Sequence, residues 1–438
     1  MSSDARILIV TQDEFLSGPL AEGMGKLGWP AVVARGASAA AAAVGDRRIE
    51  GAIIDLNVGD GMTGLGARLK DVCAPRRLPV IAVGESEQDL QGADLNLSAP
   101  IHPAQAVLRL ESLVRMAVAE EEYELRRETF AERGRDLEMP ADGETPLRVL
   151  AIGEPAPQFL ALSNALGENG VEVVGAFTAY TAFDYLHEKP FDGVILWAGD
   201  NENEALSIAA GMRRNTRLYH VPTLLYLGEA AKVTMGEAFH RGVSDIASPN
   251  TPETDTARRM VELARMYRRQ SAIRQALEKA RSSGLMDAAT GLFTRDLFAV
   301  HLTRLAEAAN VRNRPLSVCV LRVTESPAIA AARKGGWLDK AIPQIGSMIG
   351  RLVRAEDTAA RLGPEVFALA LPSTPLNAAR SAAARITAVI GCTAFDAGEG
   401  KAPFVVDFDI GVAEFEPGES AGRAIERAGS RALQRQAS

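Results

Sequence analysis

RLVRAEDTAARLGPEVFALALP, residues 351–372, sets two devices side by side. Arg354 and Asp357 form an Arg-x-x-Asp pair, and nine positions after Arg354 the tight turn Gly363-Pro364-Glu365-Val366-Phe367 opens, followed by the apolar run ALALP. The segment ARLGPEVFALALP reads as a strand hairpin. Pro364 restricts its turn, because proline cannot reach positive φ and has no N–H to donate. The Arg-Asp pair has a different character. Arginine presents a planar fork of donors that meets phosphate oxygens or a base edge in bidentate fashion, and aspartate is an acceptor. Taken alone, the pair also reads as a solvent-exposed salt bridge worth about 0–1 kcal/mol.

The chain that carries this stretch has 438 residues, 47% of them apolar and 24% charged, which is ordinary globular composition on a length that calls for about three domains. Its formal net charge is −8, from 48 basic and 56 acidic residues, so no nucleic acid and no anionic membrane is expected as a partner held by bulk field. A local basic pocket stays open, and a small molecule or a protein is the expected partner. Cys73, Cys319 and Cys392 lie far apart without Cys-x-x-Cys spacing and read as small core hydrophobes in a reducing compartment. The start MSSDARILIVT lacks a leader pattern and no long uncharged apolar run occurs, so a cytoplasmic protein without membrane insertion is expected.

Upstream, the chain repeats itself. RILIV at Arg6 and RVLAI at Arg148 are offset by 142, IEGAIID at Ile49 and FDGVILW at Phe191 by 142, and LPVIAVG at Leu78 and VPTLLYLG at Val221 by 143. Matches in three segments at one offset mean a duplicated domain. Each copy alternates apolar runs with amphipathic helical stretches, the pattern of a parallel sheet covered on both faces. Ligands gather at the carboxyl ends of such strands. There the first copy places Thr11, Gln12, Asp55, Gly84 and Ala99, and the second Gly153, Glu154 and Trp197.

This layout resembles the flavodoxin-like receiver domain of response regulators, which uses an acidic pair to hold magnesium, a strand-end aspartate as phosphoacceptor, then a hydroxyl residue and a lysine. The resemblance makes Asp55 the candidate phosphoacceptor. Its helpers are replaced by Thr11-Gln12, Gly84 and Ala99, so an aspartyl phosphate would lack its main charge neutraliser; the competing reading of Asp55 is a strand-end carboxylate that is simply hydrogen-bonded or solvated. Trp197 at the acceptor position of the second copy excludes phosphorylation there and points to a packing adaptor.

From Met286 onward the chain resembles the GGDEF domain of diguanylate cyclases, a nucleotidyl-cyclase-like α+β fold. The likeness is carried in family order by DAATGLFTR from Asp287, PLSVCVLRVTE from Pro315, the hairpin and FDIGVAEF from Phe408. Active members clamp magnesium between carboxylates of the first central strand and of the hairpin, because attack on the α-phosphorus of GTP builds charge that cations must neutralise. Here the resemblance puts Arg322 and Thr324 on the two strand positions, Pro364 on the second glycine and Val366 on the last acid, with Gly363 and Glu365 retained. Ala330 falls near the guanine-reading asparagine, and Asp339 matches a purine-contacting aspartate. These losses together imply no synthesis, no required cofactor and no magnesium.

Arg354 and Asp357, by contrast, stand at the spacing of the family's product-inhibition site, which also takes an arginine from the following helix; that register lands on Arg385. The ligand implied is cyclic di-GMP, whose phosphates and guanine edges suit these side chains. The chain therefore resembles response regulators with two receiver-like domains and a degenerate GGDEF domain. It divides as 1–140 with a long charged helix, 146–250, a helical linker 251–285, and 286–438. Met260, Leu263, Tyr267, Ile273, Leu277 and Ala280 form a narrow stripe on that linker, which points to a homodimer or to packing on its own receiver copy. The expectation is a non-catalytic cyclic di-GMP effector that recruits protein partners; the resemblance adds a cell pole, cell-cycle control and regulated proteolysis. A weak or GTP-binding cyclase and a nucleotide-independent dimeric scaffold are the alternatives.

Overall fold

The computed structural model describes residues 6–434 apart from 47, 57–63, 85–91, 98, 100, 141–144, 155, 200, 201, 216, 219, 230 and 280–283. The first domain runs β1 (Arg6–Val10), α1 (Glu14–Lys26), β2 (Ala31–Ala34), α2 (Ala37–Asp46), β3 (Ile49–Asp55), α3 (Leu65–Cys73), β4 (Val80–Val83), β5 (Leu95–Leu97) and the long α4 (Pro103–Ala131). Its parallel sheet has the order β2-β1-β3-β4-β5, and β1, β3 and β4 are apolar runs buried on both faces. Each aliphatic side chain so buried contributes about 1.5–3 kcal/mol, which is why the strands outlast their weak local signals.

The second domain repeats the plan. It comprises β6 (Leu147–Ile152), α5 (Pro157–Glu168), β7 (Val171–Ala176), α6 (Ala179–Glu188), β8 (Gly193–Gly199), α7 (Glu202–Arg214), β9 (Thr223–Leu227), α8 (Met235–His240), β10 (Asp245–Ala247) and α9 (Glu253–Lys279). Its sheet order, β10-β9-β8-β6-β7, is the same topology as the first, so the sequence repeat is a repeat of fold.

The third domain has a mixed sheet. Its elements are β11 (Phe293–Thr294), α10 (Arg295–Val311), β12 (Leu316–Val323), α11 (Pro327–Lys334), α12 (Trp337–Leu352), β13 (Thr358–Gly363), β14 (Val366–Pro372), α13 (Leu376–Gly391), β15 (Phe408–Glu414) and α14 (Ala421–Gln434). The strand order is β11-β13-β14-β12-β15, with antiparallel pairing through the centre. β12 lies in the middle and is buried along nearly its whole length, while α10 and α14 cover one face and α12 and α13 the other.

The two long helices join the domains. α4 sends Ala119, Tyr123 and Phe130, and α9 sends Ile273 and Ala276, into the same apolar cluster as Phe293, Phe298 and Leu302 of the third domain. Nearer its start, α9 gives Met260, Val261 and Leu263 to the core of the second domain, so the expected linker is also that domain's closing helix. The stripe that pointed to a partner chain is thus used within the chain: Met260, Leu263 and Ile273 are buried, and Tyr267 packs on the second domain. Ala280 and the side chain of Leu277 lie outside the described residues. A buried charge cluster also ties first domain to second, with Asp245 accepting from Arg109 of α4 and Arg259 of α9.

One further expectation is corrected. Cys73 and Cys319 are core residues, but Cys392 is exposed, because it follows the last turn of α13 after the inward stripe has ended at Ile390. No helix among the described residues is long and apolar enough to cross a membrane.

Candidate functional site

The hairpin turn comes first, since it is where the family's chemistry would sit. β13 and β14 pair so that Gly363 faces Val366, leaving Pro364 and Glu365 as a two-residue loop. Neither has positive φ, and Gly363 does not either. Two-residue hairpins favour turns with positive φ because their twist matches that of the strands; here the mismatch is taken up by an irregularity of register between Arg361 and Gly363. Arg361 then closes the turn, donating from Nε to the Gly363 carbonyl at 3.2 Å and from Nη2 to that of Pro364 at 3.0 Å. Its Nη1 lies 3.5 Å from Asp287. Burial alone would raise the pKa of Asp287, but hydrogen bonds from Thr290 and the Arg361 charge hold it below the usual carboxylate value.

The retained acid is already paired. Arg333 of α11 grips Glu365 with two bonds, Nε to Oε1 at 2.7 Å and Nη2 to Oε2 at 2.8 Å, and also donates to Glu325. Arg322 lies in the register beside it, opposite Val366 on one neighbour strand and Asp409 on the other, while the Thr324 N–H is bonded to the Asp407 carbonyl. A divalent magnesium ion needs several hard oxygen ligands. Two carboxylates that share one guanidinium, a second guanidinium and a threonine do not fit it. Ala330 and Asp339 are both exposed, on α11 and on the first turn of α12.

The Arg-x-x-Asp turn, ten residues upstream of Pro364, links α12 to β13. The Asp357 carboxylate accepts the backbone N–H of Arg354 through Oδ2 at 2.9 Å, and the Asp357 N–H donates back to the Arg354 carbonyl at 3.2 Å. The two side chains are therefore not a surface salt bridge. Arg354 is two-fifths exposed and makes a loose 3.9 Å pair with Glu356. Asp357 is 7% exposed, and its Oδ1 has no hydrogen-bond partner among the described residues. Burial, then the repulsion of Glu356, pushes its carboxyl up to about 7; burial raises Glu356 as well.

Arg354 and Asp357 line a cavity of about 800 Å³ together with Arg126, Arg217, Arg274 and Arg351. An adjoining cavity of about 610 Å³ shares Arg274 and Arg354 and reaches Arg115, Arg213 and Arg241. These arginines come from all three domains. The cationic field is visible at His220, whose pKa is driven down to about 3 by burial and by the charges of Arg274, Arg115, Arg213 and Arg354. Arg385 is not part of this site. The inward stripe of α13, Ala379, Ala383, Ile386 and Ile390, is spent on the core, which turns Arg385 to solvent, and it lines neither cavity. Arg217 and Arg274 were missed from the sequence; Arg274 lies in the basic run of α9, which reads as solvated surface, and Arg217 lies in the connection between α7 and β9.

The two receiver-type strand ends differ. Asp55 is buried and accepts the Thr11 hydroxyl at 2.7 Å, so a hydrogen-bonded carboxylate occupies the candidate phosphoacceptor position. In the second domain Trp197 stacks on Tyr226, with centroids 4.1 Å apart and planes 9° apart, and meets Phe159 edge-on. Gly153 permits this: its φ is +135° and a Cβ there would lie 2.7 Å from Trp197. Gly84 and Ala99 are described, but the loops 57–63 and 85–91 that border the Asp55 end lie outside the described residues.

Residues 284–437 match the sequence profile of the family described as diguanylate cyclase, GGDEF domain. The chain thus consists of two parallel-sheet α/β domains followed by a GGDEF domain with a mixed sheet. It is 25% identical over 366 residues to the response regulator PleD of Caulobacter vibrioides, covering 81% of this chain and 79% of PleD. Among solved structures, the GGDEF domain of DgcB from Caulobacter crescentus in complex with c-di-GMP has 23% identity and a TM-score of 0.33, over 35% of this chain and 88% of that one. The diguanylate cyclase SiaD from Pseudomonas aeruginosa, in complex with its activator SiaC, has 24% identity and a TM-score of 0.33, over 41% and 68% of the two chains.

Proposed function

We propose that the protein is a non-catalytic receptor for cyclic di-GMP, read by the turn at Arg354 and Asp357. The observation that carries this reading is Asp357, whose Oδ1 is buried without a hydrogen-bond partner among the described residues and which lines one cavity with Arg217, Arg274, Arg351 and Arg354. A cyclic dinucleotide offers what that wall lacks: two phosphates for the guanidinium forks and guanine N1–H and N2–H donors for the carboxylate. The degenerate turn supports the other half of the reading, since Arg333 holds Glu365 where synthesis would need a free carboxylate.

In this reading the ligand bridges the third domain to Arg217 of the second and Arg274 of α9, and so changes how strongly the domains hold together. It can do so only to the extent that it binds the docked arrangement more tightly than the open one. The consequence for partners is an effector of the PopA kind, recruited to a cell pole and acting as an adaptor in regulated proteolysis, with Asp55 as the candidate phosphoacceptor that would set the first domain's state. Self-association would then rest on surfaces other than the stripe of α9.

Calorimetry with cyclic di-GMP tests the reading. The wild type gives a binding isotherm, and Arg354→Ala weakens it about tenfold to a hundredfold, the loss of one charge-assisted contact. Absence of heat and of any thermal shift at high ligand would overturn it. In parallel, incubation with GTP and magnesium yields no cyclic di-GMP above a control without protein; a product peak on chromatography would return the chain to the cyclases.

A further inference from the structure

α4 belongs to the first domain, yet its polar inner face is buried against the third. Glu122, Arg126 and Thr129 are each at most 1% exposed, although charged residues on a helix this long are normally solvated. Their partners account for the burial. Glu122 Oε1 accepts the Thr358 hydroxyl at 3.0 Å, lies 3.0 Å from His301 Nε2, and pairs with Arg126 Nε at 2.6 Å. Arg126 Nη2 donates to the backbone carbonyl of Asp357 at 2.9 Å and to the Thr358 hydroxyl at 3.2 Å. Thr129 closes the other side of the His301 ring at 3.0 Å.

Two of these bonds fall on the Arg-x-x-Asp turn itself. The carbonyl of its last residue and the hydroxyl of the residue after it are held by one guanidinium from another domain. Among the described residues the turn is held inside the third domain by the mutual Arg354–Asp357 bonds and the loose Arg354–Glu356 pair, and the Asp357 carbonyl is held by a strut supplied from outside. A buried charged pair that loses one member is left with an uncompensated charge, which makes the arrangement all-or-none rather than gradual.

We infer that Glu122 and Arg126 of the first domain are positioning residues for the ligand-reading turn, so that docking of α4 and binding at Arg354 and Asp357 strengthen each other. The inference rests on the ligand assignment above and names its regulation: anything that loosens α4 from the third domain lowers affinity, and the ligand tightens α4 by the same factor, since coupling is reciprocal. Arg314 of the third domain, paired with both Glu50 of β3 and Glu121 of α4, ties the strand that ends at Asp55 into the same contact.

The test uses the full chain and two readouts. Glu122→Gln with Arg126→Met removes both charges together, and Arg126→Lys keeps the charge with fewer donors. In the double variant, amide hydrogen exchange across residues 354–358 is expected to quicken at least about tenfold while exchange along α13 is unchanged, and the cyclic di-GMP affinity falls at least about tenfold. Arg126→Lys lies between it and wild type. Added cyclic di-GMP slows exchange along residues 119–130 of the wild type. Unchanged exchange at the turn in either folded variant overturns the strut, as does unchanged affinity beside a binding wild type. If the wild type binds no cyclic di-GMP, the ligand assignment falls, while the exchange at 354–358 still decides the strut.

Discussion

The third domain carries two turns ten residues apart whose charges have met opposite fates. In the hairpin turn Glu365 is satisfied from within by Arg333, and the turn carbonyls are satisfied by Arg361. In the Arg-x-x-Asp turn the carboxylate is buried, half of it has no partner among the described residues, and it faces arginines of two other domains. An unpaired buried acceptor is costly. A turn that has closed its own hydrogen bonds needs nothing further, whereas one that leaves a buried acceptor unpaired beside a cationic cavity would gain from a ligand that brings donors and negative charge. The difference is between a turn whose carboxylate is held by a neighbouring guanidinium and one whose carboxylate is only half satisfied.

The comparison can be broken most severely at the open turn. Asp357→Ala removes both the cap on the Arg354 N–H and a buried acceptor of a residue that lines the cavity, so affinity for cyclic di-GMP is expected to fall about a hundredfold or more by calorimetry, exceeding the loss in Arg354→Ala. A loss of less than tenfold would mean that the carboxylate does not read the ligand.

Next in size is a pH effect. In the unfolded chain Asp357 ionises near 3.8, whereas the folded chain holds its proton up to about 7. The folded state therefore binds more protons between those values, and the stability this residue contributes is present below about pH 4 and is lost as pH rises to about 7. Guanine donors favour the charged carboxylate, so affinity rises with pH through about 7. Asp357→Asn flattens both trends, in melting curves and in calorimetry across pH 5–8.

The smallest effects sharpen the comparison from the closed side. Arg333→Ala frees both Glu365 and Glu325, but Arg322 keeps a guanidinium on the adjacent strand, so magnesium is expected to give no thermal shift and ligand affinity to be unchanged. Arg385→Ala likewise leaves affinity within about twofold, because its side chain is in solvent and exposed charges contribute little; a tenfold loss would place the ligand on α13 instead of in the junction.

Much of this could be read along the chain. The strands β1, β3, β6 and β8 show as apolar runs at one offset because a sheet covered on both faces leaves no room for polar residues. Trp197 read from the sequence as standing at the acceptor position of the second copy, and the Arg-x-x-Asp spacing found the turn that lines the cavity. Two readings stayed ambiguous for one cause. The stripe of α9 looks the same whether its partner is another chain or the chain's own core, and Arg385 looks the same whether its helix turns it inward or outward. Glu122 and Arg126 left only a weak trace, an acid and a base one helical turn apart on the side that carries Ala119, Tyr123 and Phe130.

What the amino-acid order determined by itself is local: which segments are strands, that one domain is present twice, and that the hairpin turn carries Pro364 and the single acid Glu365 while an Arg-x-x-Asp pair precedes it. These follow from periodicity, backbone restrictions and residue chemistry, which act over a few positions. Only the tertiary structure decided which charges are buried, because whether a guanidinium meets water, a carboxylate or a carbonyl is set by elements far away in the chain, 231 residues in the case of Arg126 and the Asp357 carbonyl.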